Sequence, residues 1–191
     1  LAERGHSVAL DPGEAELIRQ CGATIALVPD MEQVFGLVNF DSRQYLDNGV
    51  TCVLCLDGPV VAYGHDLWAA MRSFLTSQRL GDQHRRLKAE AGAKWTGDEM
   101  LFGSGELALE LATIGGARAM MLDDRIGSLE VGKEADVVLI DRRGETQLSP
   151  PAALIANLVY GNGPSPDAIR RVMIGGRTVV QDGEHVTVDR R

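Results

Sequence analysis

In the first part of the chain, apolar runs of strand length alternate with amphipathic stretches of helical spacing. This is the pattern of a parallel-stranded α/β region rather than a sandwich. Val8 to Leu10 predicts the end of a strand, and Pro12 to Gln20, with Glu14, Leu17 and Ile18, predicts a helix that starts just after Asp11. Ala23 to Val28 predicts a buried strand. After a polar stretch, Ser42 to Asn48 predicts a helix closed by Gly49 in the position where a left-handed residue ends helices. Val50 to Leu56 is the clearest strand, and it ends at Asp57-Gly58, where the chain must turn. His65 to Leu80 carries Leu67, Ala70, Met71, Phe74 and Leu75 at helical spacing, so one face belongs to a core. Gly81 to Gly103 is charged and predicts a helix plus a surface loop. Gly105 to Met121 predicts one further helix, with Ser104 as its N-cap and Glu106 in its first turn.

Near Leu122 the texture changes to short strand-like runs separated by glycine turns: Ser128 to Val131, then Gly132-Lys133, then Asp136 to Asp141. A helix is predicted over Pro151 to Tyr160. Two last strands, Arg171 to Ile174 and Arg177 to Gln181, are joined across Gly175-Gly176, a favoured two-residue hairpin connection. The expected division is therefore an α/β part over residues 1–121 and a small β part with an intervening helix over residues 122–191. No internal repeat or low-complexity tract interrupts this order.

With 191 residues, 45% of them hydrophobic, the chain can bury one substantial core, or one core and a small satellite. A net charge of −8 without a lysine and arginine stripe argues against nucleic acid or an anionic membrane surface as partner and favours a small-molecule ligand. No apolar run approaches the ~20 residues that span a bilayer. The three cysteines, Cys21, Cys52 and Cys55, are an odd number that suits a reducing, cytoplasmic setting. The opening Leu1-Ala-Glu-Arg, without an initiator methionine, predicts that a segment precedes it. An isolated half of such an α/β unit would expose strand edges, so the expected partner is either that missing N-terminal half or a second copy in a homo-oligomer.

The candidate chemistry lies at strand ends. In a (β/α) barrel the loops after the strands carry the site, so its residues come from distant sequence positions. His6 and Asp57 fit that placement, and an imidazole with a carboxylate suits a divalent ion such as zinc. Asp57 could also act as a general base. His65, beside Asp66 at the start of a helix, could contact substrate or cap the helix. Each has a plainer reading: a lone loop histidine is commonly a polar surface group, and Asp-Gly after a strand is commonly only a turn. The Cys52/Cys55 pair lies in an apolar strand and reads as structural, while Arg85, Arg86 and Lys88 read as an exposed helix face. His84 and His185 read as solvated.

The segment Ala112-Thr-Ile-Gly-Gly-Ala-Arg-Ala-Met-Met-Leu-Asp-Asp-Arg-Ile-Gly-Ser-Leu-Glu-Val-Gly-Lys-Glu-Ala-Asp-Val-Val-Leu-Ile-Asp141 closely resembles the C-terminal signature of the amidohydrolase superfamily. The likeness is to its cytosine deaminase, S-adenosylhomocysteine deaminase and triazine hydrolase (chlorohydrolase) branch, and it continues through Val172-Met-Ile-Gly-Gly-Arg-Thr-Val-Val-Gln-Asp-Gly183. The resemblance implies an α/β fold: the C-terminal part of a metal-dependent (β/α)8 TIM barrel, followed by strands of a small composite β domain. It implies zinc, or alternatively iron, and hydrolysis of a C–N bond of a small N-heterocyclic substrate through metal-activated water. Carried over by position, His6 matches a metal-binding histidine after the fifth barrel strand, and Asp57 in Cys-Leu-Asp-Gly matches the aspartate after the eighth, which binds metal and shuttles the proton.

The departures from the family pattern are specific. The His-x-Pro-x-Ser-Asn motif expected after the sixth strand appears as Leu27-Val-Pro-Asp-Met-Glu32, with Leu27 in place of the histidine. Ala9 stands where several members place a glutamate, and the His-x-His pair of the first strand is absent. Two expectations follow: a hydrolase that is incomplete as this single chain, or a catalytically degenerate amidohydrolase-like binding or assembly module.

Overall fold

A computed structural model describes residues 3–5, 13–36, 41–58, 64–89, 103–143, 150–161, 163–186 and 188. Three parallel strands, β1 (Glu3–Gly5), β2 (Thr24–Leu27) and β3 (Thr51–Leu54), pair in the order β1-β2-β3. The register sets Gly5 against Ala26 and Leu27 against Leu54, so all three strands end at one level. The Cys55 amide extends the ladder by donating to the Leu27 carbonyl at 2.9 Å. Every residue of β2 is buried, as expected of a parallel strand covered on both faces. The expected strand end at Val8 to Leu10 lies outside the described residues.

Between the strands run α1 (Glu14–Gln20), α2 (Pro29–Val34) and α3 (Arg43–Leu46). The polar stretch after β2 thus begins with a short helix that the polarity of the segment concealed. Pro29 opens it at the first helical position, where its missing N–H costs nothing. The long helix α4 (Leu67–Ala89) packs Ala70, Met71, Phe74 and Leu75 inward and runs past the expected end at Leu80. Inside the fold, Gln78 of α4 accepts hydrogen bonds from both the amide and the hydroxyl of the buried Ser42, each at 2.9 Å. Arg85 does not belong to a purely solvated face: it pairs with Asp41 at 3.1 Å, in a network where Arg43 reaches Asp82 at 2.6 Å.

The helix expected over Gly105 to Met121 is two helices, α5 (Gly105–Ala112) and α6 (Ile114–Ala119). At Thr113 the backbone leaves helical geometry (φ −120°, ψ −89°), and its hydroxyl donates back to the Leu109 carbonyl at 2.7 Å. The break lets Gly115 lie directly on β3, where an added Cβ would stand 2.8 Å from the Cys52 carbonyl oxygen. Ser104 caps α5 as expected, its hydroxyl accepting from the Leu107 amide at 3.3 Å.

The helix expected over Pro151 to Tyr160 is a 3-10 turn (Pro151–Ala153) followed by α7 (Leu154–Tyr160). Val159 of α7 joins the same core as Ile25, Leu27, Tyr45, Phe74 and Leu111.

No strand forms at Ser128 to Val131. Instead Gly127 (φ +91°) and Gly132 (φ +100°) curl the chain around the Lys133 ammonium, which donates to the Asp123 carbonyl at 2.5 Å and the Ser128 hydroxyl at 2.6 Å and pairs with Glu130 at 3.2 Å. Arg125 pairs with Glu134 across the same loop. The loop then leads into an antiparallel sheet in the order β4 (Val137–Ile140), β5 (Ile169–Ile174), β6 (Arg177–Gln181), β7 (Glu184–His185). Gly175 (φ +54°) and Gly176 (φ +76°) make the hairpin turn, matching the preference for two left-handed residues there. The signature loop holds that hairpin in place: the Gly176 amide donates to the Ala135 carbonyl at 3.0 Å and the Gly175 amide to Asp136 at 2.7 Å. The short last strand arises from a second such turn, Asp182-Gly183.

Gly127 offers a direct test of this loop. An added Cβ there would lie 2.6 Å from the Ala117 Cβ and 3.0 Å from the Ile114 Cα, whereas at Gly132 it would meet nothing within 4 Å. Gly127→Ala should therefore destabilise the intact protein by about 2–4 kcal/mol, and Gly132→Ala by only about 1 kcal/mol, in denaturant titrations. Equal losses would show that the close approach of the loop to α6 is wrong.

Candidate active site at the strand ends

Because the three strands are parallel and in register, the segments that follow them emerge on one side of the sheet. Asp57 lies three residues beyond β3, half-buried, and its Oδ1 accepts the Gly58 amide at 2.8 Å. That bond turns the chain and holds the carboxylate at the strand end. A carboxylate so placed suits the oxygen-donor position of a divalent site. Among the described residues, however, no three His, Cys, Asp or Glu side chains come together as a metal-holding group. His6 and Ala9 lie outside the described residues. His65 is exposed, and the capping reading falls to its neighbour: Asp66 accepts the Trp68 amide at 2.9 Å and the Ala69 amide at 3.2 Å at the start of α4.

The expected placement after the fifth, sixth and eighth strands requires one strand between the strand ending at Leu27 and the strand preceding Asp57. Instead, β2 and β3 are direct hydrogen-bonded neighbours over four residue pairs. If β3 is the eighth strand, β2 is the seventh and β1 the sixth, because consecutive parallel strands in a barrel lie side by side.

Leu27 is 0% exposed and packs in the central core. Its side chain fills the interior rather than facing a ligand. Five residues past β2, Glu32 is buried at 7% exposure, and its Oε1 accepts the Val28 amide at 3.3 Å. The sequence reading passed over this residue. Two signals marked it: it ends the stretch matched to His-x-Pro-x-Ser-Asn, in the place of the asparagine, and it is an acidic residue in the first turn after Pro29.

Cys52 is 4% exposed inside β3, and burial pushes its thiol up to about 12. The structural reading holds for Cys52, since a thiol so buried is protonated and unreactive at neutral pH, whereas Cys55 is half-buried just past the end of β3. A cleft of about 530 Å³ beside the α5–α6 break is lined by Glu106, Glu110, Thr113, Arg118 and Lys133 among others, and by no residue of the strand ends.

The comparisons with known proteins extend this picture. Residues 2–179 match the Amidohydrolase family, and the chain belongs to it. A 5-methylthioadenosine/S-adenosylhomocysteine deaminase of Desulforamulus reducens is 38% identical over 184 residues, which cover 96% of this chain and 38% of that protein. An adenosine deaminase from Xanthomonas campestris, solved with bound zinc, superposes with a TM-score of 0.77 at 22% identity, over 98% of this chain and 38% of that one. Atrazine chlorohydrolase from Arthrobacter aurescens, complexed with zinc, gives a TM-score of 0.73 at 24% identity over 98% and 38%. The fold is thus the C-terminal part of the amidohydrolase barrel followed by strands of a small β domain. The chain spans 38% of the length of the Desulforamulus relative.

The Cys52 thiol makes a pH prediction. Its folded pKa lies above the unfolded value of 9.0, so the folded state keeps a proton that the unfolded state loses as pH rises between 9.0 and about 12. Stability from this group is complete below pH 9 and declines above it, by about 1.4 kcal/mol per pH unit at most. Denaturant titrations from pH 8 to 10.5 should show a steeper alkaline loss for the wild type than for Cys52→Ala. Parallel curves would contradict the burial of this thiol.

Proposed function

We propose that this chain supplies the C-terminal part of a metal-dependent hydrolase that breaks a C–N bond of a small N-heterocyclic substrate, releasing ammonia. Supporting the reading are membership in the amidohydrolase family and the deaminase names carried by curated relatives. The observation that carries it is the position of Asp57, a carboxylate fixed just beyond the end of the parallel strand β3 by its bond to Gly58. In this reading Asp57 and His6 hold a divalent ion, zinc or iron, with further donors from outside the described residues. Such an ion, when bound, brings water near ~7 in pKa, so that it can attack at neutral pH. Asp57 takes the proton released from that water and returns it to the departing amine, and His65 borders the substrate from the loop beyond Asp57. The division at residues 121 and 122, with the barrel portion first and the β portion second, belongs to the same proposal. A cytoplasmic location is supported by Cys21, Cys52 and Cys55, none of which is joined in a disulfide; no helix of the described residues is long and apolar enough to cross a membrane.

A second reading, a degenerate amidohydrolase module that binds or assembles without catalysis, is favoured by Leu27. The position where the resemblance expects a polar imidazole is fully interior and apolar. The two readings separate in metal analysis of the intact protein together with an ammonia-release screen over pterins, purines, pyrimidines and triazines. The hydrolase reading expects close to one equivalent of zinc or iron, turnover of at least one ring class, and a loss of about 10²–10⁴-fold in kcat for Asp57→Asn at unchanged melting temperature. A metal-free protein without turnover would leave the module.

A further inference from the structure

We draw no further inference here: the strongest candidate, the cleft beside the α5–α6 break lined by the carboxylates of Glu106, Glu110, Asp123 and Glu130, is an acidic cluster to which Arg118 and Lys133 are already paired, and nothing in the structure shows what ligand or partner covers it.

Discussion

The direct, in-register pairing of β1, β2 and β3 governs everything else in this molecule. Side chains alternate faces along a strand, so a slip of one residue between β2 and β3 would turn the side-chain pattern of one strand over relative to the other. The register is held by the match of Ile25 with Cys52 and of Leu27 with Leu54, all deeply buried, and by the extra Cys55 amide bond at the strand end. Three parallel strands finishing at one level create a common end, and the role proposed for Asp57 depends on it.

The helical cover of the sheet explains why the register is affordable. Phe74 and Leu75 of α4, Leu111 of α5 and Val159 of α7 close over the strands in a single core, and Gly115 lets α6 approach β3 to van der Waals contact. The β part depends on a different device. Its sheet contains no fully buried strand residue, and it is joined to the rest through the signature loop, where the Lys133 ammonium fills the turn and the Ala135 carbonyl and Asp136 carboxylate grip the Gly175-Gly176 hairpin. The length of the family signature has its physical reason here: it encodes a helix end, a lysine-centred loop and the seam to the next sheet.

Much of the fold was legible because period and punctuation agreed. The continuous apolar runs at β2 and β3, the inward stripe of α4, the Ser104 cap and the glycine pair between β5 and β6 each carry a local signal that tertiary packing reinforced. The failures share a cause in contacts distant in sequence. Nothing local in Gly105 to Met121 reveals that Gly115 must touch the Cys52 carbonyl, so one helix was expected where Thr113 divides two. Ser128 to Val131 has the alternation of a strand, but Leu129 and Val131 are exposed, because the loop is organised by Lys133 rather than by apolar burial. The order of strands around the site was also misjudged, since adjacency is a property of pairing and not of spacing. The carboxylate of the proposed site, Asp57, was legible from its place after an apolar strand, whereas the burial of Glu32 was hidden in a short helix within a polar stretch.

The central claim, that the ends of these strands present Asp57 to a bound cation, is tested most directly by crystals of the intact protein grown with zinc and measured at the zinc absorption edge. The account predicts an anomalous-difference peak about 2.0–2.2 Å from a carboxylate oxygen of Asp57. A fully occupied zinc peak elsewhere, with that carboxylate bonded only to its own turn, would contradict it.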